Sequence, residues 1–190
     1  MALKLDMSKP YDRVEWDLLE RAMLYLGFSG RFVATIMSCI KSVSYSVLLN
    51  GVPNNAIKAS RGLGQGDLLS PYLFLVCAIG LQGLIHKAEA DGSLRGVSIC
   101  RNGPCVSHSF FADNSVLFCR VKELECQVIL DILSIYERGS GQKINKYKTN
   151  IFFSSNIQHD LQTRIQQLLG VPAIRQYEKY LGLLAFVGRA

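Results

Sequence analysis

Hydrophobic and polar positions along the chain switch between a strand-like and a helix-like period, and the switches mark out its elements. Met1 to Leu5 reads as a short strand running into Asp6. Ser8 then offers a helix cap, and Val14, Trp16, Leu18, Leu19, Met23, Leu24 and Leu26 recur at helical spacing as far as Gly27. Phe32 to Ile40 continues as a second helix. Ser42 to Leu49 reads as a strand turned by Asn50-Gly51, with Val52 to Ile57 pairing back on it. Arg61 to Asp67 is a loop carrying Gly62, Gly64 and Gly66, and a long apolar helix follows from about Ser70 to Ala90. Within that stretch, Leu68 to Ile85 nearly reaches the length of a membrane span, for which about twenty apolar residues are needed. Gln82 and small residues interrupt it and charges close both ends, so the expectation is a helix buried on nearly every side.

Gly96 to Cys100 and Val106 to Phe110 read as strands. A hairpin centred on Phe110-Phe111-Ala112-Asp113-Asn114-Ser115 comes next, flanked by Val106 before and Val116, Leu117 and Phe118 after. Lys122 to Arg138 is amphipathic, with Leu124, Val128, Ile129, Ile132, Leu133 and Tyr136 on one face, and Gly139-Ser140-Gly141 ends it. Ile151-Phe152-Phe153 is a strand, His159 to Leu169 a helix, and Tyr177 to Val187 a last extended piece. No repeat, linker or low-complexity segment interrupts this order. It predicts an α+β fold: a mostly antiparallel sheet with helices packed on one face.

Composition narrows the classes. At 190 residues the chain fits one domain, or slightly more, and can bury a core, and 49% hydrophobic content argues against disorder. A formal charge of +6 suits an anionic partner such as nucleic acid, although the basic residues are scattered and form no run. Six cysteines without a CxxC pair, and three separated histidines, argue against zinc. The start, Met1-Ala2-Leu3-Lys4-Leu5-Asp6, enters a charged motif with no secretory signal. An intracellular setting, nucleus or cytoplasm, neither secreted nor in a membrane, is the expectation.

On turn chemistry alone, Asp113-Asn114 reads as a turn; an acidic residue at a hairpin tip is also placed to hold a metal. Its company decides between these. Leu5-Asp6-Met7-Ser8-Lys9-Pro10-Tyr11-Asp12, then Gly64-Gln65-Gly66-Asp67-Leu68-Leu69-Ser70-Pro71, then Phe111-Ala112-Asp113-Asn114 stand in a recognisable order. Gly141-Gln142-Lys143-Ile144-Asn145 with Lys148-Thr149, and Tyr180-Leu181-Gly182, follow. Together they resemble the palm of a reverse transcriptase of the non-LTR, LINE-type retrotransposons, most closely the plant group. The resemblance spans almost the whole chain.

It implies a right-hand polymerase palm and two-metal nucleotidyl transfer, with an RNA template, a DNA primer and deoxynucleoside triphosphates as partners. Mg2+ is the implied cofactor, with Mn2+ a substitute. Magnesium prefers oxygen ligands, so carboxylates on neighbouring strands suit it. By resemblance Asp6 and Asp113 are the metal ligands and, with Asn114 and Lys148, the catalytic set, Lys148 protonating the departing pyrophosphate. Tyr11 matches the residue under the incoming sugar that excludes a 2′-hydroxyl. Gln65 and Gly66 match the loop supporting the templating base and nucleotide, and Tyr180, Leu181 and Gly182 the hairpin gripping the primer. Read singly, each has a plainer explanation: a turn, a packed ring, an exposed lysine.

Departures from the pattern are as informative. The hairpin of the family carries two aspartates, and the second is Asn114 here. Pro10 replaces the usual alanine where backbone N–H groups face the triphosphate, and proline has none. Gly64 stands for an arginine and Leu68 for a proline. Residues 1–190 are expected to form a palm without upstream fingers and with almost no thumb. A degenerate, inactive copy is therefore the expectation, against two alternatives: a non-catalytic nucleic-acid-binding remnant, or a palm completed by another chain. The sequence leaves the oligomeric state open.

Overall fold

Leu3 and Leu5 are buried while Ala2 and Lys4 are only partly so, a period of two that makes β1 (Ala2–Leu5) a strand with one face in the core. The structure is a computed structural model and describes residues 1–98, 100, 103–111, 114–172, 179–180 and 183–184, with the backbone alone at 111, 114, 179, 180, 183 and 184. After β1 the chain does not enter a helix at Ser8. Its N–H instead donates to the carbonyl of Lys143 at 2.7 Å, Lys9 takes φ 50°, and Pro10 disfavours helix at the residue before it. The helix α1 (Trp16–Tyr25) begins only after these turns, and α2 (Gly30–Lys41) is capped by Ser29, whose hydroxyl accepts from Phe32 N–H at 3.3 Å.

The strand expected over residues 42–49 is broken into pieces. β2 (Ser44–Tyr45) pairs with β5 (Ile57–Lys58), and β3 (Leu48–Leu49) with β4 (Val52–Pro53), across the Asn50-Gly51 turn. Between them the Ser46 hydroxyl donates to the carbonyl of Asn54, a local bond that replaces the regular ladder. α3 (Ser70–Ala90) then runs with Pro71 in its first turn. β6 (Val97–Ser98) and β7 (Cys105–Val106) form a small antiparallel pair. β8 (His108–Phe111) and β9 (Asn114–Phe118) form the central hairpin. α4 (Glu123–Ser140), β10 (Asn150–Phe152), α5 (His159–Leu169) and the short pair β11 (Lys179–Tyr180) and β12 (Leu183–Leu184) complete the described elements.

The main sheet has the order β10-β1-β9-β8, antiparallel throughout. Register puts Leu3 between Leu117 and Ile151, so the buried residues of three strands stack on one face. Leu81 and Ile85 from α3, Ile129, Ile132, Leu133 and Tyr136 from α4, and Ile165 and Leu169 from α5 join them in one core. The fold is mixed α+β, with three helices against one face of this sheet. The opposite face carries Lys4, Ser109 and Val116 and has no helix of this core on it. A second core, from Val14, Leu19, Met23, Val33, Met37, Leu63, Leu73, Phe74 and Cys77, packs α1 and α2 onto the first half of α3.

Two sequence expectations change here. α3 is not buried on nearly every side: Leu73, Phe74, Cys77, Leu81 and Ile85 feed the two cores, while Tyr72 and Leu75 lie exposed. It is long and apolar enough to cross a membrane by length and composition, and in this fold it bridges both cores. On α4, Leu124 is 82% exposed, and Glu125 takes the buried place beside it. That carboxylate accepts the N–H groups of Arg95 and Arg120, at 3.3 and 3.2 Å, and the Arg120 guanidinium at 2.6 Å. A carboxylate so fully bonded can be buried, and an apolar side chain there would leave both N–H groups unmet.

Candidate functional site

Asp6 follows β1 directly. β1 meets β9 with Leu5 opposite Ser115, so the next step of that register sets Asp6 beside Asn114, the first residue of β9. Asn114 in turn pairs with Phe111 at the end of β8. Thus the end of β1 and the connected end of the hairpin, where β8 runs on into β9, converge at one edge of the main sheet. Asp113 and Ala112 lie outside the described residues, so its distance from Asp6 is not part of this geometry.

The backbone of Asp6 is held from the other side. Its N–H donates to Thr149 Oγ1 at 3.2 Å, and its carbonyl accepts from Asn145 N–H at 2.8 Å. Met7 bridges Ile144, and Ser8 continues the pairing to Lys143. The Asp6 carboxylate is half-buried and has no hydrogen-bond or ion-pair partner among the described residues. An acceptor-only group in that situation suits a cation. Among the described residues no three His, Cys, Asp or Glu side chains cluster as a metal site.

Beyond Ser8 the chain turns under the glycine loop. The Tyr11 ring lies 5.2 Å from that of Phe74 of α3, tilted by 32°, and the Tyr11 carbonyl accepts Leu63 N–H at 2.9 Å. Gly62 N–H donates to the Val14 carbonyl, and the Gly62 carbonyl receives the Trp16 indole N–H, both at 2.8 Å. Gly62 has φ +90°, and a Cβ there would lie 3.0 Å from the Asp12 carbonyl oxygen, so loop and turn touch backbone to backbone. Gln65 and Gly66 are exposed on the same loop. Gln65 opens onto a cleft of about 440 Å³ that is also lined by Asp12, Trp16, Tyr45, Arg61 and Asp67, but by neither Asp6 nor Tyr11.

Lys148 is exposed in the turn between Asn145 and Thr149, the same turn that holds Asp6, and it makes no ion pair among the described residues. Of the expected primer grip, Tyr180 has its backbone in β11 opposite Leu183, while Leu181 and Gly182 lie outside the described residues. The structure therefore gathers Asp6, the start of β9 and the Lys148 turn at one sheet edge, with Tyr11 on the segment leading to the glycine loop. It does not bring Gln65 into contact with Asp6.

The matching profile is that of the family described as "Reverse transcriptase (RNA-dependent DNA polymerase)", and it covers residues 1–183. The chain belongs to the reverse transcriptase family. It is 34% identical over 110 residues to an uncharacterized mitochondrial protein of Arabidopsis thaliana, covering 58% of this chain and 89% of that one. It is 26% identical over 146 residues to the retrovirus-related Pol polyprotein from the type-1 retrotransposable element R2 of Popillia japonica, covering 77% of this chain and 23% of the polyprotein. Among solved structures it resembles a telomerase from Candida albicans in complex with a fragment of telomeric RNA, with TM-score 0.58, 19% identity, and coverage of 83% of this chain and 27% of that one. This reverse transcriptase chain thus spans about a quarter of the polyprotein and of the telomerase chain.

Three residues that hold this candidate site together carried no role in the sequence reading. Gln142 is almost fully buried, and its Nε2 donates to the Pro10 carbonyl at 2.9 Å. Thr149 and Asn145 hold Asp6 as described. All three lie in or beside the Gly141-to-Thr149 motif, and a buried polar residue there was the available signal. Gln142 Oε1 and Arg13 Nε are buried without partners among the described residues, one acceptor and one donor left unmet.

Proposed function

We propose that this chain is the palm of a LINE-type RNA-directed DNA polymerase in which the nucleotidyl-transfer site has decayed. The observation that carries the reading is the meeting of Asp6 with the start of β9 at one sheet edge, where the family motifs put the two metal-binding strands. Asp6 and Asp113 would hold Mg2+ through carboxylate oxygens, and the bound ions would supply charge stabilisation for a triphosphate and a primer hydroxyl. The Asp6 carboxylate fits that task, being half-buried and free of protein donors among the described residues.

The chain's own residues would do the rest. Tyr11, braced on Phe74, would stand under the sugar; Gln65 and Gly66 would support the template side; Lys148 would hold a proton for the leaving pyrophosphate. Tyr180, Leu181 and Gly182 would bear on the primer end. Asn114 weakens this site because an amide oxygen brings no negative charge to a pair of ions totalling roughly +4. Pro10 adds to the defect by removing an N–H near the phosphates.

A graft tests the reading. Residues 1–183 replace the matching stretch of a primer-extending member of the family, and Mg2+-dependent extension is measured. The unaltered graft is expected to fall about 10³-fold below its host, equivalent to about 4 kcal/mol of barrier. Asn114→Asp should recover most of it and Pro10→Ala should add to the recovery. Full extension by the unaltered graft would overturn the decayed site, and extension that survives Asp6→Ala would overturn the assignment of Asp6.

A further inference from the structure

Tyr147 is 94% exposed, so its ring contributes almost nothing to either core. Lys146 and Lys148 flank it, both exposed and neither in an ion pair among the described residues. By contrast, Lys143, just before this turn, is 3.8 Å from Glu137. The turn is not a loose loop tip. Lys148 N–H and Thr149 N–H both donate to the Asn145 carbonyl, at 3.1 and 2.9 Å, and Asn145 N–H is bonded to Asp6. A large planar ring is thus held out into solvent, between two ammonium groups without ion-pair partners among the described residues, on a hydrogen-bonded turn tied to Asp6 at the end of β1.

We infer that the turn carrying Lys146 and Tyr147 is a contact site for single-stranded nucleic acid, with one base stacked on Tyr147 and a neighbouring phosphate met by Lys146. Stacking needs an aromatic face that water reaches, and phosphate attraction needs positive charge that no carboxylate has neutralised; the turn supplies both. Every base offers a π-face, so the contact is indifferent to sequence, and its charge component weakens with salt. Lys146 also lines a second cleft of about 340 Å³, together with Leu169 and Val171, and is exposed. The inference rests on the reading that this family member takes nucleic acid.

The test is fluorescence anisotropy of a labelled single-stranded oligonucleotide with the full chain at low and high salt. Tyr147→Ala should weaken binding at least about fivefold, from the lower end of the stacking range, while Tyr147→Phe should keep it. Lys146→Ala should lower the salt slope by about 0.7. Tyr25→Ala serves as control, because Tyr25 is 85% exposed on α1, and it should change nothing. Unchanged affinity for Tyr147→Ala in a chain that binds would overturn the contact and leave the family reading intact, as would an equal loss from Tyr25→Ala. No binding by the unaltered chain at low salt would overturn both.

Discussion

Gly141 links the two halves of the site through a single missing atom. It ends α4 at φ +74°, and a Cβ there would lie 2.8 Å from both the Arg13 carbonyl oxygen and the Glu15 carboxylate. Gly141→Ala should therefore cost about 2–4 kcal/mol, from left-handed strain and overpacking together, read as a fall in the denaturation midpoint. A loss under about 1 kcal/mol would mean that the 8–15 turn gives way freely. The glycine was legible as a helix stop, because that role depends on local backbone alone. Its contact with Arg13 and Glu15 was not, since nothing local ties position 141 to residues so far back in the chain. Glu125 shows the same limit: its three donors come from Arg95 and Arg120, and no periodicity announces a buried carboxylate.

Among the elements, β8 carries a histidine, His108, whose titration the fold alters. His108 faces the core side of the sheet by its pairing with Leu117, and its ring lies 5.4 Å from His86 of α3 and 4.8 Å from Phe110. Partial burial lowers its pKa below 6.5; positive charge on His86 adds to the lowering, and Glu89 opposes it. The folded state then binds fewer protons than the unfolded one. Stability from this group is fully present above about pH 6.5 and is lost as pH falls through the lower folded value. His108→Gln should flatten that part of the stability–pH curve, measured by urea denaturation at several pH values; an unchanged slope would remove His108 as its source. Helices α2, α3 and α5 were legible from apolar spacing, because their cores lie on one stripe or are apolar throughout. The start of α1 was not, because Met7 and Ser8 are claimed by Ile144 and Lys143 rather than by a helix.

At the scale of the molecule, the α+β layering followed from the order of elements, and the family followed from motif residues whose positions periodicity could not have assigned. Residues far apart in sequence, Asp6, Asn114 and Asn145 to Thr149, meet at one sheet edge because β1 lies between β9 and β10. The central claim is that this edge is a cation site weakened by an amide. Titration of Mn2+ followed by electron paramagnetic resonance tests it most directly, since bound manganese loses the sharp signal of the free ion. The account predicts weak binding by the unaltered chain, its loss on Asp6→Ala, and affinity about tenfold tighter on Asn114→Asp, the scale of about 1.4 kcal/mol from one added carboxylate. Binding that is indifferent to both substitutions, or that Asn114→Asp leaves unchanged while Asp6→Ala does not abolish it, would contradict the account.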